Sequence, residues 1–154
     1  MAVIGLSFLS GVAGPVAEGL AAAGAKVVVA SRKTDACAET QAALEATGAE
    51  ALGVPTHLGE LDDLSALVRA TADRFGGVDI VVNNAANAVA QPLGMLTAEA
   101  WEQSLAVNLR GPTFLVQEAL PHLKDSAHGA VVNVISVGAF LFGAYTSMYA
   151  AGKG

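Results

Sequence analysis

The sequence predicts a single α/β domain with a parallel sheet and helices on both of its faces. Short apolar runs rich in β-branched residues alternate with longer amphipathic segments, an order that is typical of right-handed crossovers. The runs VVVAS, IVVNN and AVVNVI are apolar at consecutive positions, which indicates strands buried on both faces of a parallel sheet. The 154 residues, 53% of them hydrophobic, suffice for one domain or a large part of one.

Five strands and four helices are predicted in alternation. The strands are AVIGL (2–6), KVVVAS (26–31), EALGVP (50–55), VDIVVNN (78–84) and GAVVNVIS (129–136). The helices are VAEGLAAAGA (16–25), DACAETQAALEATG (35–48), LDDLSALVRATADRFGG (61–77) and a segment from Thr97 to about Lys124.

Local signals fix the ends of the last two helices. Apolar residues recur at helical spacing in the third helix, and Gly76 and Gly77 supply its stop. Thr97 is predicted to be the N-cap of the fourth. Within the fourth, Pro112 lacks an N–H and crowds the carbonyl of Asn108, so we expect a kink there and an unpaired Asn108 carbonyl. The alternative is a kink that serves packing only.

The fifth strand needs a neighbour on each side, because it is apolar on both faces, yet the sequence offers it only one. Either another chain covers its free edge or the sequence is the front portion of a longer domain. We favour the second interpretation, and therefore expect these 154 residues alone to show little or no turnover.

Composition excludes several classes of function. The net charge is −6, from 8 Lys and Arg against 14 Asp and Glu, and no basic run could follow a phosphate backbone, so nucleic acid is not expected as a partner. Cys37 is the only cysteine, and the three histidines lack a zinc-ligand spacing, so neither a disulfide nor a metal site is predicted.

Membrane insertion and secretion are not predicted either. The apolar stretch 134–149 is interrupted by Ser136, Gly138 and Gly143 and is too short to span a bilayer. No Lys or Arg precedes Lys26, whereas a signal peptide would require a positively charged residue near its start. We therefore expect a cytoplasmic protein.

A glycine-containing turn after the first strand suits a dinucleotide pyrophosphate, because backbone N–H groups can approach the phosphates there. The order of elements and the motifs resemble the classical short-chain dehydrogenase/reductase family, whose loop reads T-G-x-x-x-G-[IV]-G. Leu6 to Ala13 align with it, with Gly11 retained and Ser7 and Ala13 replacing the other glycines. The spacing of Gly5 and residues 11–13 is also similar to the glycine loop of the enoyl-reductase branch. The spacing of the later tyrosine and lysine disfavours that branch. A plain strand-to-helix turn is the alternative.

Two further turns are expected to contact the adenosine half of a cofactor. Ser31 and Arg32 end the second strand with no acid before Asp35, which favours NADP over NAD because the extra phosphate needs a cation and donors. The resemblance places His57 and Leu58 against the adenine. The alternatives are a solvated basic turn and an exposed loop histidine.

The segment after the fourth strand is similar to the family's N-N-A-G motif, with Ala86 replacing the glycine. Amides of Asn83 and Asn84 at this edge can tie neighbouring strands together. The resemblance places Asn84 and Ala85 beside the cofactor ribose. Ordinary turn chemistry is the alternative.

Tyr149 and Lys153 lie four residues apart, on one face of a helix. A free phenol titrates near pH ~10, and an adjacent ammonium favours the phenolate. Ser136 precedes Tyr149 by thirteen residues, a separation typical of the family's catalytic pair. The resemblance makes Tyr149 the general acid/base, Ser136 a hydrogen-bond partner of the substrate oxygen, Lys153 also a ribose ligand, and Asn108 the holder of a relay water.

The resemblance, closest to the NADP-dependent carbonyl and alcohol reductases, implies a Rossmann fold with strand order 3-2-1-4-5 over residues 1–154 and with the C-terminal strands missing. It implies hydride exchange between NADP(H) and a carbonyl or alcohol, and a homo-oligomer in the full-length form. The competing hypothesis is a non-catalytic nucleotide-binding fragment or pseudoenzyme.

Overall fold

Five parallel strands form the centre of the computed structural model, which describes residues 1–6, 13–141 and 143–154. The strands are β1 (Ala2–Leu6), β2 (Lys26–Ser31), β3 (Ala51–Pro55), β4 (Ile80–Asn83) and β5 (Ala130–Asn133). Their order across the sheet is β3-β2-β1-β4-β5, and all four neighbouring pairs are parallel. The predicted fold class and strand order are confirmed.

Helices connect the strands. They are α1 (Ala13–Ala22), α2 (Thr34–Ala46), α3 (Leu61–Phe75), α4 (Ala98–Leu105), α5 (Gly111–Asp125) and α6 (Ser147–Lys153). A π-helical turn over Ala106–Arg110, called the π-turn below, joins α4 to α5, and a 3₁₀ turn spans Val137–Ala139. None of the helices in the described ranges is both long and apolar enough to cross a bilayer.

Alternating side chains of the strands feed two separate cores. Ile4, Val28 and Val81 point to the face covered by α3 and α5, where they pack with Leu64 and Leu115. The intervening residues point to the opposite face, which carries α1 and α2: Val3, Val27, Val29 and Val82, packed with Leu44. Burial of each aliphatic side chain contributes about 1.5–3 kcal/mol, so the inner strands hold helices on both faces.

The sheet ends at β5, whose residues are exposed. Val131 and Val132 are 39% and 47% exposed, and β4 is the one neighbour of β5 among the described strands. The prediction that this chain gives the fifth strand a single neighbour is confirmed. Both β4 and β5 are shorter than predicted: β4 begins at Ile80, two residues after the predicted start, and both strands end at the last ladder pair, Asn83 with Asn133.

The signals at Thr97 and Gly76 have the predicted effects. The Thr97 hydroxyl accepts from the Ala100 N–H at 3.2 Å and caps α4, and Gly76 ends α3 with a φ of 89°. The kink expected at Pro112 takes the form of the π-turn, in which the Gly111 N–H donates to the Ala106 carbonyl. Since Pro112 has no N–H for the Asn108 carbonyl, the hydrogen-bond pattern shifts by one residue and accommodates the extra residue of a π-turn.

Candidate active site

The carboxyl ends of the strands bring most of the predicted residues to one edge of the sheet. A ligand site is favoured there because the chain continues from β1 to β2 on one side and from β4 to β5 on the other, which makes a topological switch point between β1 and β4. Ser7 and Gly11 of the predicted phosphate loop lie outside the described residues, and Ala13 opens α1.

A narrow slot at this edge, called the edge slot below, separates the ends of β2, β3 and β4 from the π-turn. Its apolar walls are Ala30, Leu58, Ala85 and Val107, and its polar rim includes Ser31, Arg32, Thr56 and Asn87. Apolar and polar side chains thus line the same slot at the carboxyl edge of the sheet.

The Ser31–Lys33 turn is anchored to the neighbouring strand. Ser31 is 8% exposed, and its carbonyl accepts from the Thr56 N–H at 2.9 Å. Its hydroxyl accepts from the Lys33 N–H at 3.4 Å. These bonds fix the backbone from which Arg32 reaches the rim of the edge slot.

His57 is held by its own loop. Its N–H donates to Oδ2 of Asp63 at 2.8 Å, and its ring Nδ1 accepts from the Gly59 N–H at 3.1 Å. The neutral ring therefore carries its proton on Nε2, which leaves that nitrogen as a donor. Leu58, 7% exposed, forms a wall of the edge slot beside it.

Of the paired asparagines, Asn83 forms hydrogen bonds through its side chain and Asn84 through its main-chain carbonyl. Nδ2 of Asn83 donates to Oδ1 of Asn133 at 2.9 Å, which ties β4 to β5 as expected for this motif. Oδ1 of Asn83 is buried and has no hydrogen-bond partner among the described residues. Asn84 and Ala85 contribute main-chain carbonyls, both of which accept from Lys153.

Asn108 is buried in the π-turn and clamps a loop. Its Oδ1 accepts from the Asn87 N–H at 2.6 Å, while Nδ2 donates to the Asn87 carbonyl at 2.9 Å and to the Ser104 hydroxyl at 3.2 Å. Sequence analysis missed both partners. The spacing of four residues between Ser104 and Asn108 could have revealed the Ser104 contact. No local signal identifies Asn87.

Ser136 and Tyr149 converge on Gly138. A Cβ built on Gly138 would lie 3.4 Å from the Ser136 hydroxyl oxygen and 3.5 Å from Cε1 of Tyr149. The Ser136 hydroxyl accepts from the Gly138 N–H at 3.1 Å, so its own proton remains available to a substrate oxygen. The serine hydroxyl and the tyrosine ring therefore lie on the same side of Gly138.

Lys153 bridges the ends of β4 and β5. Its Nζ donates to the carbonyls of Asn84, Ala85 and Val134 at 3.4, 3.3 and 3.0 Å. Burial lowers the pKa of this amino group below its ordinary value, whereas the three carbonyl oxygens favour the protonated form. An ammonium is therefore held one helical turn from Tyr149 on the same face of α6.

Gly152 allows α6 to approach the π-turn closely. A Cβ on Gly152 would lie 2.6 Å from the Cβ of Asn108, so a larger residue would push the helix away. The contact brings Asn108 next to the helix of Tyr149 and Lys153, although Asn108 lies 41 residues before Tyr149. Three of the four predicted catalytic residues thus share two packed elements, and Ser136 meets them through Gly138.

Solved structures with the same fold contain nicotinamide cofactors. A variant of the actinorhodin polyketide ketoreductase, solved with NADPH, has a TM-score of 0.92 and 27% identity, and the match covers 99% of this chain and 59% of that one. A metagenomic short-chain oxidoreductase in complex with NADP also has a TM-score of 0.92, with 25% identity and 99% and 69% coverage.

Sequence relatives give the same family. Human dehydrogenase/reductase SDR family member 4 is 34% identical over 131 residues, which are 84% of this chain and 47% of that protein. The chain thus spans about half the length of the curated relatives it matches. Because the sequence model described as short chain dehydrogenase matches residues 2–154, the chain belongs to the short-chain dehydrogenase family.

Proposed function

We propose that this chain provides the cofactor-binding and catalytic residues of an oxidoreductase that transfers a hydride between NADP(H) and a carbonyl or alcohol. The observation that carries the proposal is the convergence of the Ser136 hydroxyl and the Tyr149 ring on Gly138, with the Lys153 ammonium one turn further along α6. The two relatives of the same fold that contain NADPH or NADP support it.

Several described residues support binding of a dinucleotide. The edge slot offers apolar walls for a purine, with Ser31 and Arg32 on the rim where an adenosine phosphate would need a donor and a cation. His57 adds the Nε2 donor, and Asn84 and Ala85 continue the edge toward Lys153. Bound at this edge, the nicotinamide would supply or accept the hydride.

Each side chain then has a proton or positioning role. Tyr149 donates its phenolic proton to the carbonyl oxygen during reduction and takes it back during oxidation. Ser136 donates a hydrogen bond to the same oxygen and stabilises its developing negative charge. Lys153 stabilises the phenolate through its positive charge. Asn108 fixes the Asn87 loop and supports α6.

The test is a fluorescence titration with NADPH and with NADH, followed by an NADPH oxidation assay against a panel of aldehydes and ketones. The protein is expressed from its complete reading frame. We expect saturable NADPH binding and turnover on at least one carbonyl class. Binding without turnover across the panel would favour the non-catalytic nucleotide-binding alternative, and absence of binding would contradict the proposal.

A further inference from the structure

Arg110, the last residue of the π-turn, lies outside the set of predicted site residues, yet it reaches a loop that lines the edge slot. Its Nη2 donates to the Gly59 carbonyl at 2.7 Å, across 51 residues of sequence. The backbone N–H of the same residue, Gly59, donates to Nδ1 of His57. The guanidinium therefore acts on the position of the His57 ring through a single residue, Gly59.

A second contact joins the same two segments. A Cβ built on Gly111 would lie 2.2 Å from the Leu58 carbonyl oxygen, so the start of α5 rests directly on the backbone of the loop. Leu58 and Val107 both line the edge slot, and Val107 belongs to the π-turn. The segments that carry these two lining residues are therefore held together where Arg110 and Gly111 meet residues 58–59.

We propose that Arg110 is a positioning residue for the adenine half of the cofactor. It supports binding of that half by holding the loop of His57, Leu58 and Gly59 against the π-turn. The inference rests on the proposed function and goes beyond it by assigning a role to a residue that does not line the slot. A charge-assisted hydrogen bond suits this role, because it is stronger and more directional than a neutral one.

The first test compares Arg110→Ala with Arg69→Ala, which removes the same charge from an exposed position on α3. Affinities are measured for NADPH and for reduced nicotinamide mononucleotide, which lacks the adenosine half. Arg110→Ala should weaken NADPH binding about three- to tenfold and leave the mononucleotide unchanged, whereas Arg69→Ala should affect neither. Arg110→Lys should recover part of the loss, since an ammonium can donate to the same carbonyl.

The second test needs no cofactor. Hydrogen exchange of the amides from His57 to Glu60 should accelerate in Arg110→Ala and not in Arg69→Ala. Unchanged exchange in this loop, or equal weakening of NADPH and the mononucleotide, would overturn the inference. If the unaltered protein binds neither nucleotide, the proposed function is wrong and the cofactor role of Arg110 falls with it, while the exchange rates still decide whether Arg110 holds the loop.

Discussion

At the scale of single residues, Arg32 is the side chain on which the choice of cofactor is expected to depend. It follows the buried Ser31 at the end of β2 and lines the rim of the edge slot. The first carboxylate after it, Asp35, already belongs to the first turn of α2. A 2′-phosphate would therefore meet a cation at this turn, and free ribose hydroxyls would find no carboxylate within it.

Replacing Arg32 with Asp should reverse the preference between the two cofactors. The carboxylate would repel the 2′-phosphate and accept hydrogen bonds from the ribose hydroxyls of NADH. The measurement is the ratio of the dissociation constants for NADPH and NADH, with Arg69→Asp as a control for the change of charge. An unchanged ratio in Arg32→Asp would show that this turn does not recognise the 2′-phosphate of NADPH.

The residue scale also shows where sequence reasoning stops. The cap at Thr97 follows from residues within one turn of helix, so the sequence alone predicted it. The partner of Asn108 in the Asn87 loop is 21 residues away, and its position depends on how the loop packs after β4. The hydrogen bond from Arg110 to the Gly59 carbonyl likewise depends on tertiary packing.

At the scale of elements, the π-turn is the piece that joins the parts of the site. Asn108 contacts both the Asn87 loop and α6, and Gly111 lies against Leu58. Pro112 predicted an irregular helix here, because its missing N–H is visible in the sequence. The sequence could not predict that the irregularity would be a π-turn, since this depends on the segments that pack against it.

Gly111→Ala tests the contact between the start of α5, directly after the π-turn, and Leu58. The added methyl group would meet the Leu58 carbonyl oxygen, which is backbone and cannot turn aside, so we expect a loss of roughly 1–3 kcal/mol in the free energy of unfolding. Gly19→Ala is the matched control in α1, because nothing lies within 4 Å of its added methyl group. This control should be stabilising by up to about 1 kcal/mol. Equal stabilisation of both variants, measured by denaturant unfolding, would contradict the close contact.

At the scale of the whole molecule, Asp79 connects three distant segments on the amino-terminal side of the sheet. Its carboxylate accepts from the Ala2 N–H at 2.6 Å and from the Ser126 hydroxyl. Its own backbone N–H donates to the Ala2 carbonyl, and its carbonyl accepts from the Ala130 N–H. The start of β1, the entry to β4 and the connection from α5 to β5 thus meet at one residue.

The hydrogen bond from Ser126, with smaller contributions from the Ala2 N–H and nearby positive charge, lowers the pKa of Asp79 below its ordinary value, although burial opposes the shift. A carboxyl with a depressed folded-state pKa stabilises the fold above its unfolded-state value, about 3.9, and loses that contribution as the pH falls through the folded-state value. The group is largely solvated, so the effect is modest.

Asp79→Asn should therefore lower the thermal midpoint at pH 7 by roughly 2–4 °C and weaken the decline of stability below about pH 4. The measurement is a series of thermal unfolding curves from pH 7 to acid. Asp73→Asn removes an exposed carboxylate of α3 and serves as the control. If the two variants have the same pH profile, the account of Asp79 is wrong.

The parallel α/β class could be predicted at this scale, because alternation of apolar runs and amphipathic helices leaves few possible topologies, whereas the strand order was predicted from the resemblance to the short-chain dehydrogenase/reductase family. The edge was also predictable from the missing neighbour of β5. The close approaches at Gly111 and Gly152 were not, since each joins segments distant in sequence whose contact only the folded chain creates.

The central claim, that Tyr149 transfers the proton, is tested most directly by the rate of hydride transfer from bound NADPH in Tyr149→Phe. This change removes the phenolic proton and keeps the ring that packs beside Gly138. We predict a fall of about 10²–10⁴-fold in the single-turnover rate with NADPH affinity preserved, and a near-normal rate in Tyr145→Phe, whose ring is 58% exposed. A near-normal rate in Tyr149→Phe would contradict the assignment.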